Sequence, residues 1–302
     1  MRVGTCIPVD ETVSVNGQFH LEKALSVMFQ MGIRGCLTNF GPDESRWDTS
    51  ARELATALKN TGMTLMEYNA PLWLQPRERS GCQPLAHKFA RLLEIAESIG
   101  CLNVVACTGG FGKGLGPHPR NRSQESWDLL RETCLLLAGE AEHQGLRARV
   151  LIELVYTSVI WSPQTLARFV TDINSPNVQG HMDIANCLTF DNIYDHAAFI
   201  RESFVVLGGR IQSSHVKDVA PIESYFPGLA ECLVGEGVLD FRAYLGCLAQ
   251  MPPEFPVLIE HMRASHEIER SYRRVAAIAE EMGIRVWSDE THPQTRETGT
   301  AG

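Results

Sequence analysis

The stretch VLIELVYTS, residues 150–158, is an apolar segment with a carboxylate, Glu153, in its interior. A run of Val, Leu and Ile of this kind is typical of a strand that is buried on both faces inside a parallel sheet. Burying a charge without a partner is strongly unfavourable. We therefore expect Glu153 to be paired, protonated or bound to a metal ion.

Three later apolar segments repeat this pattern. NVQGHMDIAN carries Asp183, RIQSSHVKDV carries His215 and FPVLIEHM carries Glu260. In each segment the polar side chain falls near the carboxyl end of the predicted strand, just before a loop. Four successive strands, each with one side chain able to bind a metal, are hard to obtain by accident, and the four residues are best interpreted together.

A second repeated pattern predicts the fold. Five times along the chain a helical pattern ends at a glycine and an apolar strand begins directly after it. Glycine is favoured at this position because the backbone past a helix commonly adopts a left-handed conformation. The junctions are MGIRG (31–35), TGMTL (61–65), IGCLN (99–103), QGLRA (144–148) and MGIRV (282–286).

Extending this alternation along the chain gives eight strand–helix pairs, the number in a (β/α)8 TIM barrel. We predict one α/β domain over residues 1–287 and a polar, disordered tail over 288–302. A doubly wound open sheet is the alternative architecture. It is disfavoured because no G-x-G-x-x-G motif follows the first strand.

In a barrel the carboxyl ends of the strands form the active-site face, so we expect Glu153, Asp183, His215 and Glu260 to meet there. Three carboxylates and one imidazole suit one divalent metal ion and leave positions open for substrate or water. Mn²⁺ is the favoured ion, with Co²⁺, Mg²⁺ and Zn²⁺ as alternatives.

Composition limits the other classes of function. The chain has 302 residues and a formal net charge of −9, which argues against nucleic acid or an anionic membrane as partner. We see no membrane span and no signal peptide, and the nine cysteines include no C-x-x-C pair. These features predict a cytoplasmic protein with reduced thiols.

The motifs LIEL, MDIAN, HVKD, GEGVLDF and VLIEH together resemble the xylose isomerase-like TIM-barrel family, which includes sugar phosphate isomerases and epimerases, inosose dehydratases and endonuclease IV. The resemblance covers roughly residues 1–285 and is specific in the second half. It implies that Glu153, Asp183, His215 and Glu260 are metal ligands. It further implies that Glu153 and Glu260 are the catalytic acid/base pair of an isomerase or epimerase, acting through a metal-stabilised enediolate.

Two departures from the family narrow the function. Asn186 stands where the ketose 3-epimerases have a histidine, and the segment VYTSVIW lacks their second glutamate. Both changes argue against a simple ketose 3-epimerase. The additional histidines of the three-metal cluster of endonuclease IV are missing as well.

Further residues are candidates for substrate binding, namely Lys217, Asn186, Glu236, Trp161 and Glu67. Three of them have a structural alternative: an ion pair for Lys217, a turn for Glu236 and core packing for Trp161. The Gly-rich loop over residues 109–122 could close over the site and bind an anionic group, but a plain flexible loop is the favoured interpretation.

These observations predict a metal-dependent enzyme that isomerises or epimerises a small-molecule sugar, polyol or keto-sugar. A lyase or dehydratase, either inosose dehydratase-like or cleaving a keto-sugar glycoside, is the first alternative. A non-catalytic barrel that has kept its metal is the second. The resemblance also implies a homodimer or homotetramer.

Overall fold

A computed structural model describes residues 1–226 and 228–287, and it confirms the predicted TIM barrel. Eight parallel strands, labelled β1 to β8 along the chain, close on themselves, since β1 pairs with both β2 and β8. The strands are Arg2–Cys6, Gly35–Asn39, Thr64–Asn69, Asn103–Ala106, Arg149–Glu153, Val178–Asp183, Ile211–Val216 and Pro256–Ile259.

A helix follows each strand and packs on the outside of the barrel. Helices α1 to α8 are Leu21–Gln30, Trp47–Thr61, Cys82–Ser98, Gln124–His143, Pro163–Ile173, His196–Leu207, Phe241–Leu248 and Ser265–Glu281. Capping side chains begin two of these helices: the Ser162 side chain accepts from the Thr165 amide at the start of α5, and Asp240 accepts from the Ala243 amide at the start of α7. These caps satisfy amides that have no partner inside their helices.

The lower half of the barrel interior is apolar. Leu37, Met66, Leu258 and Trp287 form a cluster there, and the Trp287 amide donates to the carbonyl of Met1 at the amino-terminal end of β1. Gly35 leaves the space that Met66 fills, because a Cβ on Gly35 would lie 1.9 Å from the Met66 sulfur. This layer closes the bottom of the barrel and leaves the upper half for polar residues.

A β-bulge interrupts β3 directly below the active-site face. Leu65 pairs with Cys36 and Glu67 pairs with Leu37, so two residues of β3, Met66 and Glu67, face one residue of β2. A bulge of this kind breaks the alternation of side chains. Met66 and Glu67 therefore both point into the barrel.

The motifs HVKD and GEGVLDF meet in a turn beyond β7. Asp218 begins an antiparallel ribbon of Asp218–Pro221 and Leu229–Cys232, and its carboxylate accepts from the amides of Gly235, Gly237 and Leu239. A Cβ on Gly237 would lie 2.2 Å from Asp218 Oδ1. This part of the family signature therefore fixes the loop that leads into α7.

The predicted tail, 288–302, lies outside the described residues. Among the helices that are described, none is long and apolar enough to cross a bilayer.

The close contact between β1 and β2 gives a test of the barrel packing. Gly4→Ala should lower the free energy of unfolding by about 1–3 kcal/mol, because the new Cβ would lie 2.7 Å from the backbone of Gly35. Gly139→Ala, in the exposed middle of α4 where a Cβ meets nothing within 4 Å, should instead raise it by about 0.5–1 kcal/mol. Urea unfolding measures both changes, and equal stability of the two variants would contradict this packing.

Candidate metal centre

The four residues predicted as ligands meet at the carboxyl end of the barrel. Glu153 and Asp183 are the last residues of β5 and β6, and Glu260 directly follows β8. With His215 of β7 they present ligand atoms that all lie within 4.8 Å of one another, and all four residues are buried. Their roles as ligands stay a prediction, but their proximity is a property of the fold.

His215 lies at the centre of the group. Its Nδ1 is 3.0 Å from Glu260 Oε2 and 3.8 Å from both Glu153 Oε1 and Asp183 Oδ2, while its Nε2 is 2.5 Å from Glu67 Oε1. Burial alone would lower the pKa of His215, but the carboxylates of Glu260 and Glu67 outweigh burial and hold that pKa well above its ordinary value. One nitrogen thus faces the three carboxylates and the other is tied to the barrel interior.

Lys217 supplies a cation to the carboxylates. Its Nζ lies 2.7 Å from Asp183 Oδ2, forms an ion pair with Glu260 Oε1 and donates to Asn186 Oδ1 at 3.3 Å. The ion pair that the sequence suggested as the structural alternative for Lys217 is therefore present. Burial raises the pKa of Asp183 to about 6 despite this cation, whereas His215 and Lys217 outweigh burial at Glu260 and hold the pKa of Glu260 well below its ordinary value.

Two buried atoms of the group suit a metal ion. Neither His215 Nδ1 nor Asp183 Oδ2 makes a hydrogen bond of acceptable geometry to any of the residues described, although Lys217 Nζ lies close to Asp183 Oδ2. Buried polar atoms without hydrogen bonds are rare and call for an explanation. Three carboxylates and one imidazole nitrogen are a suitable donor set for Mn²⁺, Co²⁺, Mg²⁺ or Zn²⁺. The residues present fit one divalent cation.

Asn186 and Cys107 fix the orientation of Glu153. The Asn186 amide donates to Glu153 Oε1 at 3.0 Å, and the Cys107 thiol, just past β4, lies 2.8 Å from Glu153 Oε2. Burial and the adjacent Glu153 raise the pKa of the Cys107 thiol well above its ordinary value, which keeps it protonated as a donor. Cys107 was not among the residues predicted from the sequence; its position at the end of a strand was the signal that could have indicated it.

His261 is the second residue of the site that was not predicted from the sequence. Its backbone is left-handed, with φ of 66°, which is uncommon for residues other than glycine. Its Nε2 lies 3.1 Å from Glu260 Oε1 and its Nδ1 lies 2.6 Å from Glu231 Oε2 on the ribbon. His261 thereby links Glu260 to a partly exposed carboxylate, and nothing in the local sequence signals this backbone conformation.

Three residues predicted to contact substrate lie elsewhere. Glu67 is completely buried, with its two oxygens bonded to His215 and Ser213, and so it has no face toward the mouth of the barrel. Glu236 forms an ion pair with Arg270 of α8. Trp161 lies against the guanidinium of Arg122, with 4.4 Å between the ring centroid and Cζ. The expected contact between Glu67 and substrate is therefore wrong, since the Glu67 side chain is buried. Neither Glu236 nor Trp161 lines the cavity beside the candidate ligands.

A cavity of about 360 Å³ opens onto the candidate ligands. Its polar side includes Glu153, Asn186, Lys217, Glu260 and His261. Asn69 and Cys107 also line it, and the remaining lining residues are apolar: Ala70, Pro71, Leu72, Trp73, Val105 and Leu115.

The loop over residues 109–122 contributes to the cavity through Leu115, not through its basic residues. Arg120 lies over the ring of Phe111 and Arg122 over those of Tyr156 and Trp161, and the Arg122 guanidinium also donates to the Tyr156 carbonyl. The anion-binding role considered for this loop has no support in these contacts, which place its arginines on aromatic rings.

Comparison with known proteins identifies the family. The sequence model described as xylose isomerase-like TIM barrel matches residues 28–284, and the chain therefore belongs to that family. A search of the curated proteins finds no match.

Three solved structures illustrate the likeness. The 3-keto-D-glucoside 4-epimerase YcjR from E. coli has 15% identity and a TM-score of 0.68 over 92% of this chain and 99% of that chain. The IOLI protein with a bound zinc atom has 16% identity and a TM-score of 0.66 over 93% and 99%. The probable 3-DHS dehydratase AsbF from Bacillus anthracis has 13% identity and a TM-score of 0.66 over 90% and 98%. At these identities the likeness shows the fold alone.

The ion pairs of Lys217 give a test of the electrostatics of the site. In the presence of a chelator at pH 8, Lys217→Met should lower the free energy of unfolding by about 3–5 kcal/mol, since Asp183 and Glu260 lose their buried ammonium partner. The deficit should shrink toward pH 5. Without the ammonium the folded protein takes up protons on these carboxylates at a higher pH than the unfolded chain does, and acidification then favours the folded variant.

Urea unfolding at the two pH values measures this effect. Lys88→Met is the control, because Lys88 forms an exposed pair with Glu44 and should change stability by about 0.5 kcal/mol or less. A Lys217 variant as stable as the wild type at pH 8 would contradict the described ion pairs.

Proposed function

We propose that this chain is a divalent-metal-dependent enzyme that isomerises or epimerises a sugar, polyol or related keto-sugar by removing a proton next to a carbonyl. The observation that carries this proposal is the buried group of Glu153, Asp183, His215 and Glu260 beside an open cavity. Membership of the family supports it, since the related structures include an epimerase. Mn²⁺ stays the favoured ion, and a homodimer or homotetramer in the cytoplasm stays a prediction.

The residues of the site divide the chemical work. Glu153, Asp183, Glu260 and His215 Nδ1 would hold the cation. A divalent metal, when bound, polarises a carbonyl and lowers the free energy of negative charge on its oxygen. Glu153 and Glu260 are the acid/base pair. One of them, as the carboxylate, accepts the proton next to the carbonyl, which gives an enediolate, and the other, as the carboxylic acid, returns a proton to the carbon. Proton exchange with solvent then restores the starting protonation states of the two residues.

The surrounding side chains keep these two carboxylates in place. Asn186 and Cys107 hold Glu153 through one oxygen each, and Lys217 and His261 flank Glu260. Asn186 and Lys217 also line the cavity. Asn186 Oδ1 has a second lone pair that can accept from a substrate hydroxyl, and Lys217 can donate to one in exchange for one of its three present partners. This is the substrate-binding role expected of both residues from the sequence.

The lining of the cavity favours an uncharged substrate. Lys217 and His261 are its cationic groups among the described residues, and both are engaged with carboxylates. The apolar wall with Trp73 and Leu115 offers no partner for a phosphate or carboxylate at the far end of a sugar. It suits the C–H groups of a neutral sugar or the apolar part of a glycoside.

A lyase is the second candidate function. Removal of the same proton can be followed by loss of a substituent on the next carbon, which gives a dehydratase or an enzyme that cleaves a keto-sugar glycoside. The likeness to a probable dehydratase favours keeping this alternative. Mass spectrometry of the product separates the two, since an isomerase leaves the substrate mass unchanged in ¹H₂O whereas a lyase splits it.

The roles of the two glutamates predict the effect of their amides. Glu153→Gln and Glu260→Gln should each lower kcat by about 100-fold or more, because the amide cannot accept the substrate proton, and both variants should keep the circular dichroism of the wild type. Glu44→Gln, an exposed glutamate paired with Lys88, is the control and should leave turnover unchanged. Full activity in both site variants would indicate that another residue is the base, whereas a wild type with no turnover in the whole screen would favour the non-catalytic barrel.

The neutral lining predicts substrate selectivity. Once a ketose screen has identified a substrate, its phosphate ester at the carbon farthest from the carbonyl should have a kcat/KM at least about tenfold lower, which corresponds to about 1.4 kcal/mol. The matching deoxy sugar should be turned over at a rate close to that of the parent, because apolar lining such as Trp73 and Leu115 offers no hydrogen bond to the missing hydroxyl. A preference for the phosphate ester would refute the assignment of a neutral substrate.

A further inference from the structure

We propose that Glu67 is a positioning residue for the metal centre, and that it holds the ring of His215 so that Nδ1 faces Glu153, Asp183 and Glu260. This inference rests on the metal site of the proposed function, but it assigns a role to a residue outside the ligand set. The sequence suggested a substrate contact for Glu67, and its complete burial excludes that role.

The bulge in β3 is the feature that brings Glu67 to His215. Met66 already occupies the inward position in the regular alternation, filling the space above Gly35. Because Met66 and Glu67 together face Leu37, the extra residue turns the Glu67 carboxylate inward as well. A bulge disrupts regular pairing, and bulges are common next to active sites, where they redirect a side chain.

The hydrogen bonds around Glu67 allow one arrangement of protons. Ionised Glu67 only accepts, so Nε2 of His215 donates to Oε1 at 2.5 Å and the Ser213 hydroxyl donates to Oε2 at 2.7 Å. The single Ser213 proton is thereby used, and Nδ1 of His181, 2.7 Å from the same hydroxyl oxygen, must be the donor to it. The whole chain of hydrogen bonds thus runs toward Glu67.

This arrangement determines which His215 nitrogen can bind a metal. Nε2 keeps its proton because it is bonded to Glu67, so a cation that binds His215 displaces the proton of Nδ1 and takes the lone pair of that atom, which lies 3.0 Å from Glu260. Carboxylates that accept from the second nitrogen of a ligating histidine commonly contribute a factor of about 10–100 to metal affinity. Glu67 meets that geometric requirement, and each of its oxygens already accepts a hydrogen bond.

The experiment is titration of Mn²⁺ or Zn²⁺ into the chelator-treated full chain, followed by calorimetry. Glu67→Leu should raise the metal Kd by about 10–100-fold. Glu67→Gln should recover most of this loss, since its carbonyl oxygen can still accept from Nε2 of His215. Thr5→Val is the control: it removes a buried hydroxyl from β1 whose partner is the Cys6 carbonyl, and it should leave Kd unchanged.

The outcomes separate this inference from the metal site itself. A wild-type chain that binds no metal would refute the proposed function. If the wild type binds one ion and Glu67→Leu binds it within about threefold, the positioning role of Glu67 is wrong and the metal site stands. An equal loss of metal affinity in the Leu and Gln variants would show that orientation of His215 by Glu67 is not the cause. Two ions per wild-type chain, with one of them lost in Glu67→Leu, would show that Glu67 is itself a ligand.

A measurement on the wild type covers the case in which Glu67→Leu does not fold. In the zinc-loaded protein, ¹⁵N NMR of the histidine side chains should show His215 with a proton on Nε2 and zinc on Nδ1, and its Nε2 proton should be protected from exchange with solvent. Zinc on Nε2 would overturn the proposal.

Discussion

The burial of three carboxylates in one small volume is the constraint on which the upper half of this barrel depends. Glu153, Asp183 and Glu260 repel one another and lose most of their hydration, which is strongly unfavourable unless cations and hydrogen-bond donors lie close by. Lys217 and His215 supply the positive charge within the chain. A divalent ion would neutralise the three carboxylates further. Their burial is therefore stable only when nearby positive charges and hydrogen-bond donors offset their negative charge.

The side chains that stabilise these carboxylates come from successive strands and from the loops that follow them. Asn186 and the Cys107 thiol bond to Glu153, and His261 joins Glu260 to the ribbon beyond β7. Below this layer, the bulge in β3 adds a fourth carboxylate, Glu67, which bonds to His215 from the opposite side. The site is thus two polar layers above an apolar floor, and the residue shared by both layers is His215.

The sequence predicted the barrel and the proximity of the four candidate ligands, because both follow from period-two alternation, helix-to-strand glycines and the rule that parallel strands present their carboxyl ends at one face. It could not predict Glu67, since a one-residue bulge changes the direction of a side chain without a signature in the local pattern. The left-handed backbone of His261 could not be predicted from the sequence either. The same holds for the orientation of the Glu236 side chain, which depends on an ion pair with Arg270, more than thirty residues later in the chain.

The most direct test of the central claim is the metal content of the purified chain, measured by elemental analysis for the wild type and for His215→Ala. We expect about one divalent ion per wild-type chain after incubation with Mn²⁺, and its loss in the variant, because the central nitrogen ligand is removed while the fold is kept. A wild type without metal would contradict the proposed metal site, as would a His215→Ala variant that retains the ion with unchanged affinity.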